Sequence, residues 1–280
     1  MPRSSSVGAD NAPSFHWSHS IRYQTEEARA LSALLGLSET ATPPLILPML
    51  WLGKSALPQT MRDLAGETYF VVQEAQDLVY ARPFQSDEPI TINIRLQQEK
   101  TDTLYRLLIS ADLTARDGSE IVTLKSTIRL IEKPSGPQAA SLPAPKPRAS
   151  SAIDHALPII DQDIINRYAV LSGDNNPVHL DRAFAHTIGL QDTVAHGMIL
   201  LGMAQRGFSL LNAEEQAMGQ IFPLHLSCRF LLPLHAGQTS GLSIKQHLQD
   251  NRLSERVTLS SEAGPHVLAQ IQYPVQPPKA

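Results

Sequence analysis

The chain has 280 residues, 42% of them hydrophobic, and a formal net charge of -4 from 23 basic and 27 acidic side chains. Domains typically run to roughly 100–200 residues, so this length supplies one large core or two ordinary ones, and two is the natural division. The basic residues form no run, which excludes the electrostatic footprint of a protein that binds nucleic acid or an anionic membrane.

In chain order, residues 1–15 are polar, lack the apolar centre of a secretory signal and are expected to be disordered. "TEEARALSALLG" has helical spacing, with Thr25 as its N-cap. "PPLILPMLWLG" (Pro43 to Gly53) reads as an apolar helix about half the roughly 20 residues of a bilayer span, so no membrane span is expected. "FVVQEAQDLVYARPF", "PITINIRLQQEK", "TLYRLLISADLT" and "EIVTLKSTIRLI" then read as strands. Residues 133–150, "KPSGPQAASLPAPKPRAS", read as an extended Pro-rich linker. Beyond it the order recurs: "DQDIINRYAVLSG" as a helix, "AHGMILLGMAQRGFSLL" as a longer apolar one, then "FPLHLSCRFLL", "TSGLSIKQHLQ", "RLSERVTLSSE" and "HVLAQIQYPV" as strands.

The division is therefore 16–132, a linker, and 151–280. "YARPFQSDEPITINI" lies without a gap on "FLLPLHAGQTSGLSI", setting Pro83 on Pro233 and Ile94 on Ile244, while "TPPLILPMLWLGKSAL" takes the place of "AHGMILLGMAQRGFSL". A helix that is apolar all round must be covered, so each half is expected to be α+β, an antiparallel sheet wrapped around a central helix, with the two sheets joined edge to edge. Two unrelated α+β domains remain the alternative.

The lone Cys228 can form no internal disulfide, and with no signal sequence the expected setting is cytoplasmic. Ten histidines occur, but no CxxC, HxH or HExxH spacing brings two ligands to one ion, so no metal is expected.

The chemistry-bearing stretch is "LSGDNNPVHLD", Leu171 to Asp181. Gly, Asp, Asn and Pro each favour turns, and a turn can also be what brings Asp174 and His179 together. "VAHGMILLG" follows, with Gly197 eighteen positions after His179. The run from Tyr168 to Leu201 resembles the MaoC-like hydratases, the (R)-specific enoyl-thioester hydratases and 3-hydroxyacyl-thioester dehydratases of the hotdog fold. The resemblance rests on Ser172, Gly173, Asp174, Asn176, Pro177, Val178, His179, Asp181, Ala183, Phe184, Ala185, His196 and Gly197, and continues weakly through "RFLLPLHAGQ". The first half resembles the degenerate partner of two-domain members in element order only.

The resemblance implies a double hotdog with a catalytic second half and a first half on the side of the acyl chain. It implies reversible hydration of trans-2-enoyl thioesters to (R)-3-hydroxyacyl thioesters on one water held by Asp174 and His179. Asp174 is the choice for base in hydration and His179 for partner acid and water positioner, two roles that the sequence does not separate; Asn176 fixes the turn or orients Asp174, and Ser172 and His196 support. Gly197, opening an apolar helix, offers unpaired N–H groups for the thioester oxygen, and lacking a side chain lets the thioester approach closely. In the first half the corresponding helix is expected to open at Pro43-Pro44, where proline has no N–H, and no Asp-x4-His precedes it, so one active site per chain is expected. "PPLILPMLWL" is a candidate acyl lining, or simply packs against its own sheet. Gln205 stands where many family members carry a small hydroxyl residue. Asp181 and His186 are read as structural, Asp181 as a helix cap.

No cofactor is implied beyond the CoA or phosphopantetheine arm of the substrate, with an acyl carrier protein as a possible partner. The chain could act as a monomeric pseudo-dimer or as a homodimer. The alternatives are a non-catalytic acyl-thioester-binding hotdog and a hotdog thioesterase; against the latter, no Asp or Glu lies between Gly197 and Asn212.

Overall fold

The computed structural model describes residues 14–37, 43–133, 153–208, 221–249 and 252–274. The expected disordered N-terminus and the Pro-rich linker lie almost wholly outside these residues, as does the end of the longer apolar helix. The first half runs β1 (Ser14–Arg22), α1 (Thr25–Leu35), α2 (Leu47–Gly53), α3 (Leu57–Ala65), β2 (Tyr69–Tyr80), β3 (Pro89–Lys100), β4 (Tyr105–Ala115) and β5 (Glu120–Glu132). The second runs β6 (His155–Ala156), α4 (Gln162–Ser172), α5 (Pro177–Leu180), α6 (Arg182–Thr187) and α7 (Gly197–Ala204), then a 3-10 turn at Gln205–Gly207. It ends with β7 (Leu224–Phe230), β8 (Gly241–Gln249), β9 (Arg252–Ser261) and β10 (Gly264–Pro274). No helix among the described residues is long and apolar enough to cross a membrane.

All ten strands form one sheet in the order β1-β3-β4-β5-β2-β7-β10-β9-β8-β6. Read outward from the β2–β7 seam, the two sides repeat one another strand for strand. The seam is antiparallel and sets Asp77 opposite Ser227, two residues 150 positions apart, the same offset that lays Pro83 on Pro233. The sheet thus has an internal two-fold through that pair.

Strand alternation explains which face is inward. In β3, Ile90, Ile92, Ile94 and Leu96 are buried while Asn93, Arg95 and Gln97 are exposed, the period of two that a one-sided sheet requires. Helix α7 has no polar face: every residue from Met198 to Ala204 is buried. The core is shared between the halves, with α1, α2 and α7 side chains in one cluster with the inner face of both halves of the sheet.

Several elements differ from expectation. Strand β1 was not foreseen, although Phe15, Trp17, His19 and Ile21 alternate with exposed residues along it. Thr25 is the first helical residue of α1, and the cap position falls to Gln24, which makes no side-chain bond. The longer apolar helix stops at Ala204 and tightens into the 3-10 turn. The first-half helix begins at Leu47, after Pro43-Pro44: Pro48 occupies its first turn, where no intrahelical N–H is needed, and Leu47 N–H closes a turn on the Pro44 carbonyl (2.9 Å). Helices α2 and α7 therefore start 150 residues apart, the offset of the sheet, and Leu47, not Pro44, is the counterpart of Gly197.

Candidate active site

Helix α4 places the site. Asp161 caps it by accepting from Ile164 N–H (3.0 Å), and Ile165, Tyr168, Ala169 and Ser172 form its buried stripe. It ends at Gly173, which takes the left-handed conformation (φ 75°) that a side chain would strain. The chain then turns through "DNNP". Ser172 Oγ donates to the Tyr168 carbonyl (2.8 Å) and accepts from Asp174 N–H (3.2 Å). Asp174 Oδ1 accepts from Asn176 N–H (3.3 Å), and Asn176 Oδ1 caps α5 by accepting from Val178 N–H (3.3 Å). Asn176 thus orients Asp174 through its main chain, while its side chain starts the next helix.

Helix α5 turns His179 back over the start of α7. One donor atom each of Asp174, His179 and His196 lie within 4.8 Å of one another. The His179 and His196 rings stack with centroids 3.8 Å apart and planes 26° from parallel. Each ring is held by a main-chain carbonyl: His179 Nδ1–H donates to Val194 (2.8 Å) and His196 Nε2–H to Asp174 (3.0 Å). A carbonyl can only accept, so neutral His179 carries its hydrogen on Nδ1 and presents the Nε2 lone pair. Burial lowers the His179 pKa below the ordinary imidazole value, against the opposing pull of the Asp174 charge and the Val194 carbonyl. For His196, burial first and the neighbouring His179 second bring the pKa down to about 4. Both rings are neutral near pH 7.

The Asp-His-His group is also the obvious place to test for a metal. An ion bound by imidazole lies near the ring plane, and two stacked planes tilted by 26° do not meet within bonding distance of both nitrogens. The nitrogens facing Val194 and Asp174 are already committed. The donor set does not fit a metal.

His196 is the N-cap residue of α7 and Gly197 its first residue, so the first N–H groups of the helix have no acceptor inside the helix, and the ring of His196 itself stacks on His179. The room beside Gly197 is taken by protein. A methyl there would stand 2.9 Å from Phe230 Cε1, so the glycine first accommodates that ring. The absence of a side chain at Gly197 is thus required by packing as well. Phe230 was overlooked, although the repeat offset sets it on Tyr80, whose hydroxyl reaches the start of α2 by donating to the Leu45 carbonyl (2.6 Å). Gln162 was also overlooked: it donates to the His179 carbonyl (2.9 Å) and accepts from Thr193 (2.5 Å), tying the turn to the strand-like segment before α7. Asp181 caps α6 through Phe184 N–H (3.0 Å), and His186 bonds the Gln191 carbonyl (2.9 Å); both are structural.

The equivalent place in the first half is closed. Leu47 N–H is spent on Pro44, and the next residue, Pro48, has none to offer. The donor is lost here, three residues beyond the Pro43-Pro44 pair. Gln205 fills the gap beside it, its side chain accepting from Leu45 N–H (2.8 Å). It is a buried strut between the halves. Gln205→Ala is expected to strand a buried N–H and cost about 1–3 kcal/mol in a denaturant titration. Leu45, Ile46, Leu47, Leu50, Trp51 and Leu52 are each at most 3% exposed, so they pack in the core and line no open channel among the described residues.

Residues 140–261 match the family model described as "MaoC like domain". Over 70 residues the chain is 39% identical to the (R)-specific enoyl-CoA hydratase of Aeromonas caviae, covering 25% of this chain and 49% of that protein. The match thus spans about half the length of that curated relative. Among solved structures, HtdX of Mycobacterium tuberculosis aligns over 92% of this chain and 99% of its own at 18% identity, TM-score 0.67. A second Mycobacterium tuberculosis protein, one with a double hotdog fold, aligns over 95% and 96% at 12% identity, TM-score 0.55. Sheet order, the buried helix in each half and the structural likenesses agree that the chain is a double hotdog, and residues 140–261, most of its second half, are similar to the MaoC-like domain.

Proposed function

We propose that the chain is a hydro-lyase that interconverts trans-2-enoyl and (R)-3-hydroxyacyl thioesters, carried on CoA or on a phosphopantetheine arm. The observation that carries this reading is a carboxylate and a neutral imidazole lone pair within the span of one water, beside the start of an apolar helix. In hydration, Asp174 accepts a hydrogen bond from one O–H of the water, which stays on the oxygen, and His179 Nε2 takes the other hydrogen as a proton. The water oxygen bonds to C3 while the C2=C3 pair moves towards the thioester oxygen. Gly197 N–H and the positive end of α7 receive the developing charge. The imidazolium returns its proton to C2 on the same face. Asp174 stays ionised throughout, orienting the water and stabilising the imidazolium. The base role thus passes from Asp174, as read from sequence, to His179, because its tautomer leaves it able only to accept. The reaction calls on no metal or redox cofactor.

The test is to follow loss of the conjugated absorbance of crotonyl-CoA and longer trans-2-enoyl-CoA esters, with the configuration of the product read by chiral chromatography. The working form of His179 is neutral and its pKa is depressed, so activity holds at pH 7–8 and falls as pH drops through a value below 6.5. An acid limb above that value contradicts the assignment. Binding without turnover on both CoA and carrier esters supports a binding module, and release of free thiol supports a thioesterase.

A further inference from the structure

Helix α2 belongs to the half that lacks counterparts of Asp174 and His179, yet its last residue touches the turn that carries them. A methyl on Gly53 would stand 2.1 Å from the Ser172 carbonyl oxygen, and one on Gly173 would lie 3.4 Å from the Gly53 carbonyl oxygen. Two main chains meet there with no side chain between them, directly before Asp174.

The α2 side of this contact is anchored on both flanks of Gly53. Glu27, on α1, accepts from Trp51 Nε1–H (2.7 Å) and pairs with the Lys54 ammonium. The Trp51 ring packs edge-on against Phe84 (centroids 5.1 Å) and Tyr23 (6.3 Å). On the other side, Ser172 Oγ links the end of α4 to Asp174 N–H. We propose that the first half positions the catalytic turn through Gly53: the Glu27–Trp51–Lys54 anchor sets where the Ser172 carbonyl lies, and through it the separation of Asp174 from His179. Gly53 and Glu27 are positioning residues that touch no reacting atom, and the activity readout below rests on the hydratase reading.

Gly202 supplies the comparison, because a methyl there would also strike the other half, 2.6 Å from Leu35 Cδ1, but within α7 and away from the turn. Both Gly53→Ala and Gly202→Ala are expected to lower the melting temperature of the full chain. Only Gly53→Ala is expected to lower kcat on crotonyl-CoA, by roughly 10- to 100-fold with KM within about threefold, the scale of a displaced catalytic group. Its acid limb also moves, because the Asp174–His179 separation changes. Glu27→Gln, a gentler change that keeps the packing, should lower kcat by about 3- to 10-fold in the same direction.

A second readout needs no turnover. The imidazole NMR titrations of His179 and His196 shift in Gly53→Ala and stay as wild type in Gly202→Ala. The proposal is overturned if Gly202→Ala loses as much kcat as Gly53→Ala. It also fails if folded Gly53→Ala keeps wild-type kcat and histidine titrations, or, should Gly53→Ala not fold, if Glu27→Gln is indistinguishable from wild type. A wild-type chain that hydrates no thioester overturns the hydratase reading alone, and the titrations still decide the positioning.

Discussion

Asp174→Asn and His179→Ala each lower the hydration rate of a trans-2-enoyl-CoA by about two to four orders of magnitude, the usual contribution of a positioned acid-base group. The two losses arise differently. Asp174 is exposed; its main-chain N–H bond to Ser172 survives the substitution, and the amide oxygen of asparagine can still accept from Asn176 N–H. Asparagine keeps the shape but removes the charge that steadies the imidazolium, so kcat falls while the melting temperature holds. His179→Ala removes the proton carrier itself and also uncovers the stacked face of His196. Because both residues act on one water, the double variant should be little worse than the weaker single one. Losses that multiply would mean that the two act in separate steps, contrary to the mechanism proposed here.

Trp51→Ala is expected to destabilise the chain by about 3–5 kcal/mol, the range for truncating a large buried aromatic. Trp51 is 1% exposed and joins α1, α2 and the turn after β2 through Tyr23, Phe84 and Glu27. The hydrogen bond to the Glu27 carboxylate accounts for about 1.5–3 kcal/mol of this, the usual net value for a charged acceptor, and packing supplies the rest. Trp51→Phe separates the two contributions: it keeps most of the ring contact and should cost nearer the smaller figure. Chemical denaturation of both variants measures the difference, and equal losses would assign the effect to the indole N–H.

The strands were readable wherever one face is buried, because β3, β4 and β5 alternate cleanly between core and solvent residues. Strand β1 carries the same alternation but lies at the sheet edge, where even its inward residues are only half-buried, and its serines and histidines masked the pattern. The turn from Ser172 to His179 was readable because each residue serves the backbone as well as the site: Gly173 for a positive φ, Asn176 for a cap. What could not be read were contacts made at a distance in sequence. Phe230 lies against Gly197, Gln205 reaches Leu45, and Gly53 meets Ser172, and none of these pairs shares a local pattern. The starting point of α2 was misread by three residues because a Pro-Pro pair resembles a helix opening, while Leu47 N–H shows that it precedes one.

The seam between β2 and β7 joins the halves through six facing residue pairs of a single chain. Two separate hotdogs meeting in this way would come apart on dilution, and their joint stability would rise with protein concentration. Covalent linkage turns that association into an intramolecular step whose effective concentration is fixed by the tether. The junction between the halves is therefore indifferent to how much protein is present. It also releases the halves from having to change together: a substitution such as Leu47 for glycine alters one side of the two-fold and leaves the other as it was.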